Sequence, residues 1–303
     1  MISVVIPVKN GGEELRRCLD GLAGQTAEHE VVVVDSGSGD GSVALARAHG
    51  ARVREIPPAE FNHGATRNLG ASLAGGDVLV FTSQDAYAAD TRWLERLTAP
   101  LADPAVGGAY GRQVAHAEAT PPEHYFMDFL YGPMARSQRA GHAAELSLET
   151  TLFSNVCSAM RRDVFERFSF VDDIIMSEDQ EWARRVLLAG YELRYVAEAV
   201  VHHSHPYTLR QAFRRFFDSG VSAERAYLAG ARPSGAALRR ASVRYAVGEV
   251  RWLWTTGRRR WLFYAAAYEG AKFAGLQLGT RWRRLPRPLV ERFTAVPAYW
   301  ARS

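Results

Sequence analysis

The chain has 303 residues, 47% hydrophobic and 23% charged, with a formal charge of +4. That composition excludes a disordered, collagen-like or disulfide-stapled chain and leaves room for one large domain with an appendage. The charge is split: residues 239–303 hold thirteen Arg and one Lys against three Glu, a net +11, which leaves −7 on residues 1–238. A mildly acidic body with a basic tail suits an anionic surface as the tail's partner.

The apolar opening Met1–Pro7 has no basic segment before it and no small-residue cleavage site after it, so it reads as a first strand and not a signal peptide. Ile2–Val8, Val31–Asp35 and Val78–Thr82 are β-branched runs too short for helices, as expected of buried parallel strands. Between them lie three helical patterns: Glu13–Ala23 with Leu15, Leu19 and Leu22 on one face, Gly41–His49, and Gly64–Ala74 with Ala65, Leu69 and Leu73 in a stripe. Repeated strand–helix–strand units predict an α/β fold with a mostly parallel sheet and right-handed crossovers. Ligands on such sheets sit beyond the carboxyl ends of the strands. Pro7-Val8-Lys9-Asn10, Asp35-Ser36-Gly37 and Ser83-Gln84-Asp85 all fall there.

Val106–Val114 reads as a further strand, and Thr120-Pro121-Pro122 as a loop leading to an acceptor side that runs to Glu149. Ser177 opens a helix, with Gln180 three residues on as in a capping box. Trp182, Val186 and Ala189 share one face of it, and Gly190 ends it. Tyr191–Val201 reads as one or two strands. Thr208–Leu278 is helical, with breaks at Pro233 and near Gly257. Cys18 and Cys157 are the only cysteines, so a reducing, cytoplasmic setting is expected. No apolar window reaches the roughly eighteen residues of a membrane span.

Several polar clusters could carry chemistry. Asp35 ends a strand where a carboxylate can accept hydrogen bonds from a pyrimidine N–H or a ribose hydroxyl; equally, it could close its own turn with the serines that follow. His63, Arg67 and Asn68 crowd a helix start, where free backbone N–H groups favour an anion. Arg67 could engage a phosphate or a base carbonyl, or pair with an acid. Asp85 follows a buried strand and suits a hard divalent cation on a diphosphate, or a cap on the next helix. Asp179 lies in a first helical turn, where the dipole and free N–H groups hold a carboxylate ionised, as a general base must be. Glu178 and Glu181 flank it, and successive helical residues point about 100° apart, so one of the three faces a cleft squarely.

In His202-His203-Ser204-His205-Pro206, alternation turns His203 and His205 one way and His202 the other. An imidazole there can complete a metal shell or contact a diphosphate; zinc is disfavoured by the absence of structural-site spacing. Residues 251–284 interleave eight aromatics with seven arginines. Such a pattern packs a core or anchors at a membrane interface; no RNA-recognition motif accompanies it, so no nucleic acid is expected.

These residues resemble family 2 glycosyltransferases, within them the rhamnosyltransferases, over nearly the whole chain. The likeness runs through Val5–Asn10, Asp35–Ser38, Phe61–Asn68, Thr82-Ser83-Gln84-Asp85-Ala86, Tyr110–Gln113, Ser154–Ala159, Glu178-Asp179 and His203-Ser204-His205. It implies a GT-A fold over residues 1–206, with a nucleotide-binding half (1–115) and an acceptor half (116–206), followed by a basic, aromatic-rich helical extension (207–303). It also implies transfer of a sugar, L-rhamnose from dTDP-L-rhamnose, to a saccharide or lipid-linked hydroxyl with inversion, using Mg2+ or Mn2+. A UDP- or GDP-sugar donor, a non-catalytic nucleotide-binding module and a membrane adaptor are the alternatives.

By the same resemblance Asp179 is the catalytic base, and Pro7, Val8, Asp35, Arg67 and Gln84 hold the nucleotide. Asp85 stands at the last acid of the family's D-x-D metal motif. Ser83 replaces the first acid, and His203 or His205 supplies the missing ligand. His63, Asn68, Asn155 and Glu178 border the donor or acceptor. The enzyme would work in the cytoplasm, with its tail against the inner face of the membrane.

Overall fold

Runs of β-branched residues are buried on both faces only when helices cover a sheet from each side, and the chain folds that way. The computed structural model describes residues 1–223, 225–226 and 235–300. Its strands are β1 (Ile2–Val8), β2 (His29–Asp35), β3 (Arg52–Glu55), β4 (Val78–Thr82), β5 (Tyr87–Ala88), β6 (Val106–Val114), β7 (Arg136–Gln138), β8 (Cys157–Arg161) and β9 (Glu192–His202). They form one sheet in the order β3-β2-β1-β4-β8-β6-β9-β5, with β7 beside β9. The pairs β1–β2, β1–β4, β2–β3 and β6–β9 are parallel. β8 runs against β4 and β6, and β5 and β7 run against β9. The sheet is therefore mixed.

The helices are α1 (Gly12–Ala23), α2 (Ser42–Ala48), α3 (His63–Leu73), α4 (Trp93–Thr98), α5 (Pro121–Leu130), α6 (Arg162–Arg167), α7 (Glu178–Leu188), α8 (Leu209–Ala223), α9 (Gly235–Thr255), α10 (Leu262–Gly279), α11 (Arg287–Phe293) and α12 (Pro297–Trp300). Alternation along β1 divides the core in two. Val4, Ile6 and Val8 join Leu15 and Leu19 of α1 and Trp93 and Leu97 of α4. Val5 joins Leu79 and Phe81 on the side of Trp182, Val186 and Leu187 from α7.

Two helix faces differ from the sequence reading. The apolar stripe of α3 is only half-buried, and its fully buried face is Gly64, Thr66, Arg67, Gly70 and Ala71. Lacking a side chain, Gly70 lets that face lie against Val5; a Cβ there would stand 2.3 Å from Val5 Cγ1. The close approach carries Arg67 into the interior. In α7, Ala183 and Leu187 are buried with Trp182 and Val186, whereas Ala189 is exposed.

One irregularity aims the site. Between β6 and β9 the register jumps from Gly111↔Val196 to Arg112↔Val200, so β9 carries extra residues. Such bulges bend a strand and redirect its end. Only glycine fits at 111, because a Cβ would lie 2.3 Å from both Ala199 O and Cys157 Sγ.

The helical extension is joined to the body. Phe217 of α8 and Val290 of α11 share a core with Ile175 and Met176, the residues just before Ser177. Lys272 of α10 is buried, pairs with Glu269 at 2.8 Å, and sits 4.0 Å over the ring of Phe126 in α5. The break expected near Gly257 is present, with φ +73° at that glycine; Pro233 lies outside the described residues. Among the described residues no helix is long and apolar enough to cross a membrane.

Candidate active site

The carboxyl ends of β1, β2, β4, β6 and β9 fall on one edge of the sheet. Val8 pairs with Asp35, Val114 with His202, and Thr82 faces the start of β8 at Cys157. All three strand-end loops singled out in the sequence meet there. The Gln84 amide binds the backbone of Lys9 through both Oε1 (2.8 Å) and Nε2 (3.2 Å). Asn10 and Gly12 are tied to Ser38 and Asp40.

Beyond β4 and β9, Asp85, His203 and His205 form a cluster whose potential ligand atoms all lie within 4.8 Å of one another. His203 Nε2 is 3.7 Å from Asp85 Oδ1, and His205 Nδ1 is 3.5 Å from Asp85 Oδ2. The Gln113 carbonyl faces His203 Nδ1 at 3.0 Å, while its amide nitrogen donates to Ser154 Oγ at 2.9 Å. That pair of bonds sets the proton of His203 on Nδ1 and leaves the Nε2 lone pair toward Asp85. Burial pushes His203 down to about 3 and also lowers His205, so both rings are neutral and able to ligate. The carboxylate and imidazole donors therefore fit a divalent cation, with both His203 and His205 in reach. As alternation requires, His202 turns the other way and stacks on Tyr87.

The second feature is the first turn of α7. The expected capping box is absent: Ser177 is left-handed at φ 67° and its side chain makes no cap. Glu178 is buried and accepts from Arg67 Nη1 and Asn155 Nδ2, each at 3.1 Å. Burial raises its carboxyl, but the guanidinium of Arg67, the nearby His63 and hydrogen bonds from the helix backbone and Asn155 together more than offset this and hold it below the usual range. Glu181 pairs with Arg185 at 2.8 Å. Asp179 is the acid of this turn that has no cationic partner among the described residues. Among the described residues its oxygens accept only the backbone N–H groups of Asn155 (3.2 Å) and Gln180 (2.8 Å).

Burial first, then the charge on Glu178, pushes Asp179 up to about 7. Two backbone donors and the helix terminus do not keep it at an ordinary carboxylate value. A base that titrates near neutrality is well matched to proton transfer. The two features adjoin: Ser154, bonded to Gln113 of the histidine network, is followed in the chain by Asn155, which holds both Glu178 and Asp179.

The remaining sequence candidates are engaged by the protein. Asp35 closes its own turn, accepting from Gly37 N and Ser38 N at 2.9 Å and from the Ser38 hydroxyl. The helix start near His63 is capped by Asn62, which takes the N–H groups of Gly64 and Ala65, so the N–H groups expected to favour an anion are already satisfied. Asn68 is occupied at both ends by the backbone of Phe170. His63 lies on Phe61, and burial lowers it to about 4. Arg67 leaves a buried Nε without a hydrogen-bond partner among the described residues.

The sequence reading gave no role to three residues of this edge. Gln113 was legible as a polar residue ending an apolar strand. Glu123, whose carboxylate accepts the His205 backbone N–H, and Arg215 of α8, whose charge helps depress His63, His203 and His205, left no local signal.

Comparison with known proteins agrees with this geometry. Residues 3–168 match glycosyl transferase family 2, and residues 89–275 match glycosyl transferase family group 2. The chain is 34% identical to the O-antigen chain rhamnosyltransferase RfbN of Salmonella typhimurium, over 99% of this chain and 96% of that protein. It is 34% identical to the O-antigen chain rhamnosyltransferase WbaN of Salmonella anatum, over 89% and 86%. Its fold is similar to that of a mannosyltransferase from Pyrobaculum calidifontis (TM-score 0.57, 22% identity, 99% and 84% covered). It is also similar to residues 1–349 of S. aureus TarS (TM-score 0.55, 14% identity, 93% and 91% covered). With a GT-A-like sheet, an acid at the head of α7 and a carboxylate–histidine cluster beside it, the chain belongs to glycosyl transferase family 2 and is a glycosyltransferase.

Proposed function

We propose that this enzyme transfers L-rhamnose from dTDP-L-rhamnose to a hydroxyl of a saccharide acceptor, inverting the anomeric carbon, in the assembly of a cell-surface polysaccharide. The observation that carries the reaction is Asp179, a half-buried carboxylate without a counter-ion among the described residues, poised to titrate near neutrality beside the Asp85–His203–His205 cluster. The choice of sugar rests on the likeness to the Salmonella rhamnosyltransferases.

Asp179 takes the proton of the acceptor hydroxyl as that oxygen attacks C1 from the face opposite the diphosphate. The new C1–O bond forms while the bond to the diphosphate breaks, and the electron pair leaves with the phosphate. Asn155 orients the base through its backbone N–H, and the negative charge of Glu178, kept ionised beside Arg67, biases it toward accepting the proton. Asp85, His203 and His205 would hold Mg2+ or Mn2+, which supplies Lewis-acid stabilisation of the leaving diphosphate. Asp35, with the backbone of Pro7 and Val8, borders the base and ribose, and Gln84 shapes that wall through Lys9. The orphaned Nε of Arg67 supports a further donor to the nucleotide-sugar.

The acceptor is lipid-linked, and the enzyme works at the inner face of the cytoplasmic membrane. A panel of dTDP-, UDP- and GDP-sugars, scored by nucleotide release with a membrane-extracted acceptor, tests the reading. Turnover restricted to dTDP-rhamnose supports it; preference for another donor overturns the choice of sugar.

A further inference from the structure

The helical hairpin α9–α10 presents to solvent surfaces that a folded protein ordinarily hides. On α9 the exposed residues Val243, Val247, Val250 and Trp254 recur at helical spacing, with 61%, 61%, 53% and 52% of their surfaces open. On α10 the outward positions are Phe263, Ala266, Ala267, Gly270, Phe273 and Ala274, three turns without a polar side chain; Phe263 is 91% exposed. Contiguous apolar surface of this kind marks an interaction site.

The charge around these stripes selects the partner. Between residues 243 and 263 every exposed charged side chain is an arginine: Arg244, Arg251, Arg258, Arg259 and Arg260. The one acid of the segment, Glu249, is buried. Gly257 reverses the chain so that three arginines form the tip between Trp254 and Phe263, and Arg259 lies 4.0 Å over the Trp254 ring. A second copy of the chain docked across this face would oppose arginine to arginine. An anionic lipid surface answers both features at once, taking the apolar stripes into its headgroup–acyl boundary and the arginines at its phosphates.

We propose that the α9–α10 hairpin is an interfacial docking surface for a membrane rich in anionic phospholipid, with Trp254, Phe263 and the tip arginines as its anchors. The inference deepens the membrane reading given above by assigning it to one face. It also ties that face to the cleft. Tyr245 of α9 packs on Tyr125 and Phe129 of α5 at 5.3 and 4.9 Å, and Glu123 of α5 holds the backbone of His205.

The test is flotation of the full chain with phosphatidylcholine vesicles, with and without phosphatidylglycerol. It compares wild type with the triple variant Arg258→Ser, Arg259→Ser, Arg260→Ser and the double variant Trp254→Ser, Phe263→Ser. All five side chains are solvent-facing or tip residues, so the thermal midpoints should match wild type. A variant that melts early is replaced by Val247→Ser, Val250→Ser. The expected result is binding that requires phosphatidylglycerol, with partitioning on the order of 100-fold weaker without the three arginines and lost without the two aromatics. Wild-type binding that both variants retain would overturn the assignment of this face and leave the membrane reading standing. No wild-type binding would overturn both. A wild-type dimer dissolved by Trp254→Ser, Phe263→Ser would make the face a self-interface and refute the proposal.

Discussion

Replacing Asp179 by Asn should remove activity and, at alkaline pH, make the fold more stable. The side chain is half-buried, and its carboxyl is raised from 3.8 to about 7 by desolvation and by Glu178. A carboxyl raised in the fold contributes stability that is fully present below its unfolded value and is lost as pH rises through the folded one. Three pH units correspond to on the order of 4 kcal/mol of strain on the ionised form. Asparagine carries no charge and escapes that cost. It has one carbonyl oxygen for two backbone donors, Asn155 N and Gln180 N, and leaving one unpaired costs about 1–3 kcal/mol. The stability of Asp179→Asn relative to wild type should therefore climb by roughly 3 kcal/mol between about pH 5 and about pH 8. Denaturant unfolding at several pH values measures the climb, and nucleotide release measures turnover, which should fall by ~10²–10⁴. A stability difference flat with pH, or turnover near wild type, would refute the reasoning.

Wild-type kcat/KM should rise with pH through about 7 as the base ionises, and a profile flat from pH 5 to 8 would remove Asp179 from that role. Gln113→Leu should weaken Mn2+ binding by about 10–100-fold by freeing the His203 tautomer, measured by calorimetry, while leaving the thermal midpoint within a few degrees. Arg67→Met should destabilise the fold by about 3–5 kcal/mol, because it strands buried Glu178; a loss below 1 kcal/mol in urea unfolding would mean the pair is dispensable. Gly111→Ala should cost at least 1–3 kcal/mol through overpacking against Ala199 and Cys157, read in the same assay.

Much of the fold was legible because buried parallel strands leave a strong local mark. Ile2–Val8, Val78–Thr82 and Val106–Val114 read from the sequence coincide with β1, β4 and β6. The reversed direction of β8 and the short edge strands β5 and β7 left none, since pairing partners distant in the chain decide them. The cluster at Asp85, His203 and His205 could be read because each residue lies at a strand end, where alternation fixes facing. The Arg67–Glu178–Asn155 arrangement could not: it links three segments, and α3 buries a face turned away from its apolar stripe so that Gly70 can lie on Val5. Ser177 carried the letters of a capping box but adopts a left-handed backbone, so the box fails. Asn68 looked like a ligand and is a brace, because a side-chain amide serves a backbone as readily as a substrate.

The most direct measurement is anomalous diffraction at the manganese edge from crystals grown with Mn2+ and dTDP. The account predicts one peak between the Asp85 carboxylate and the imidazoles of His203 and His205, touching the diphosphate, with Asp179 across the same cleft. Manganese bound elsewhere, or a nucleotide seated in a cavity that Asp179 does not reach, would contradict it.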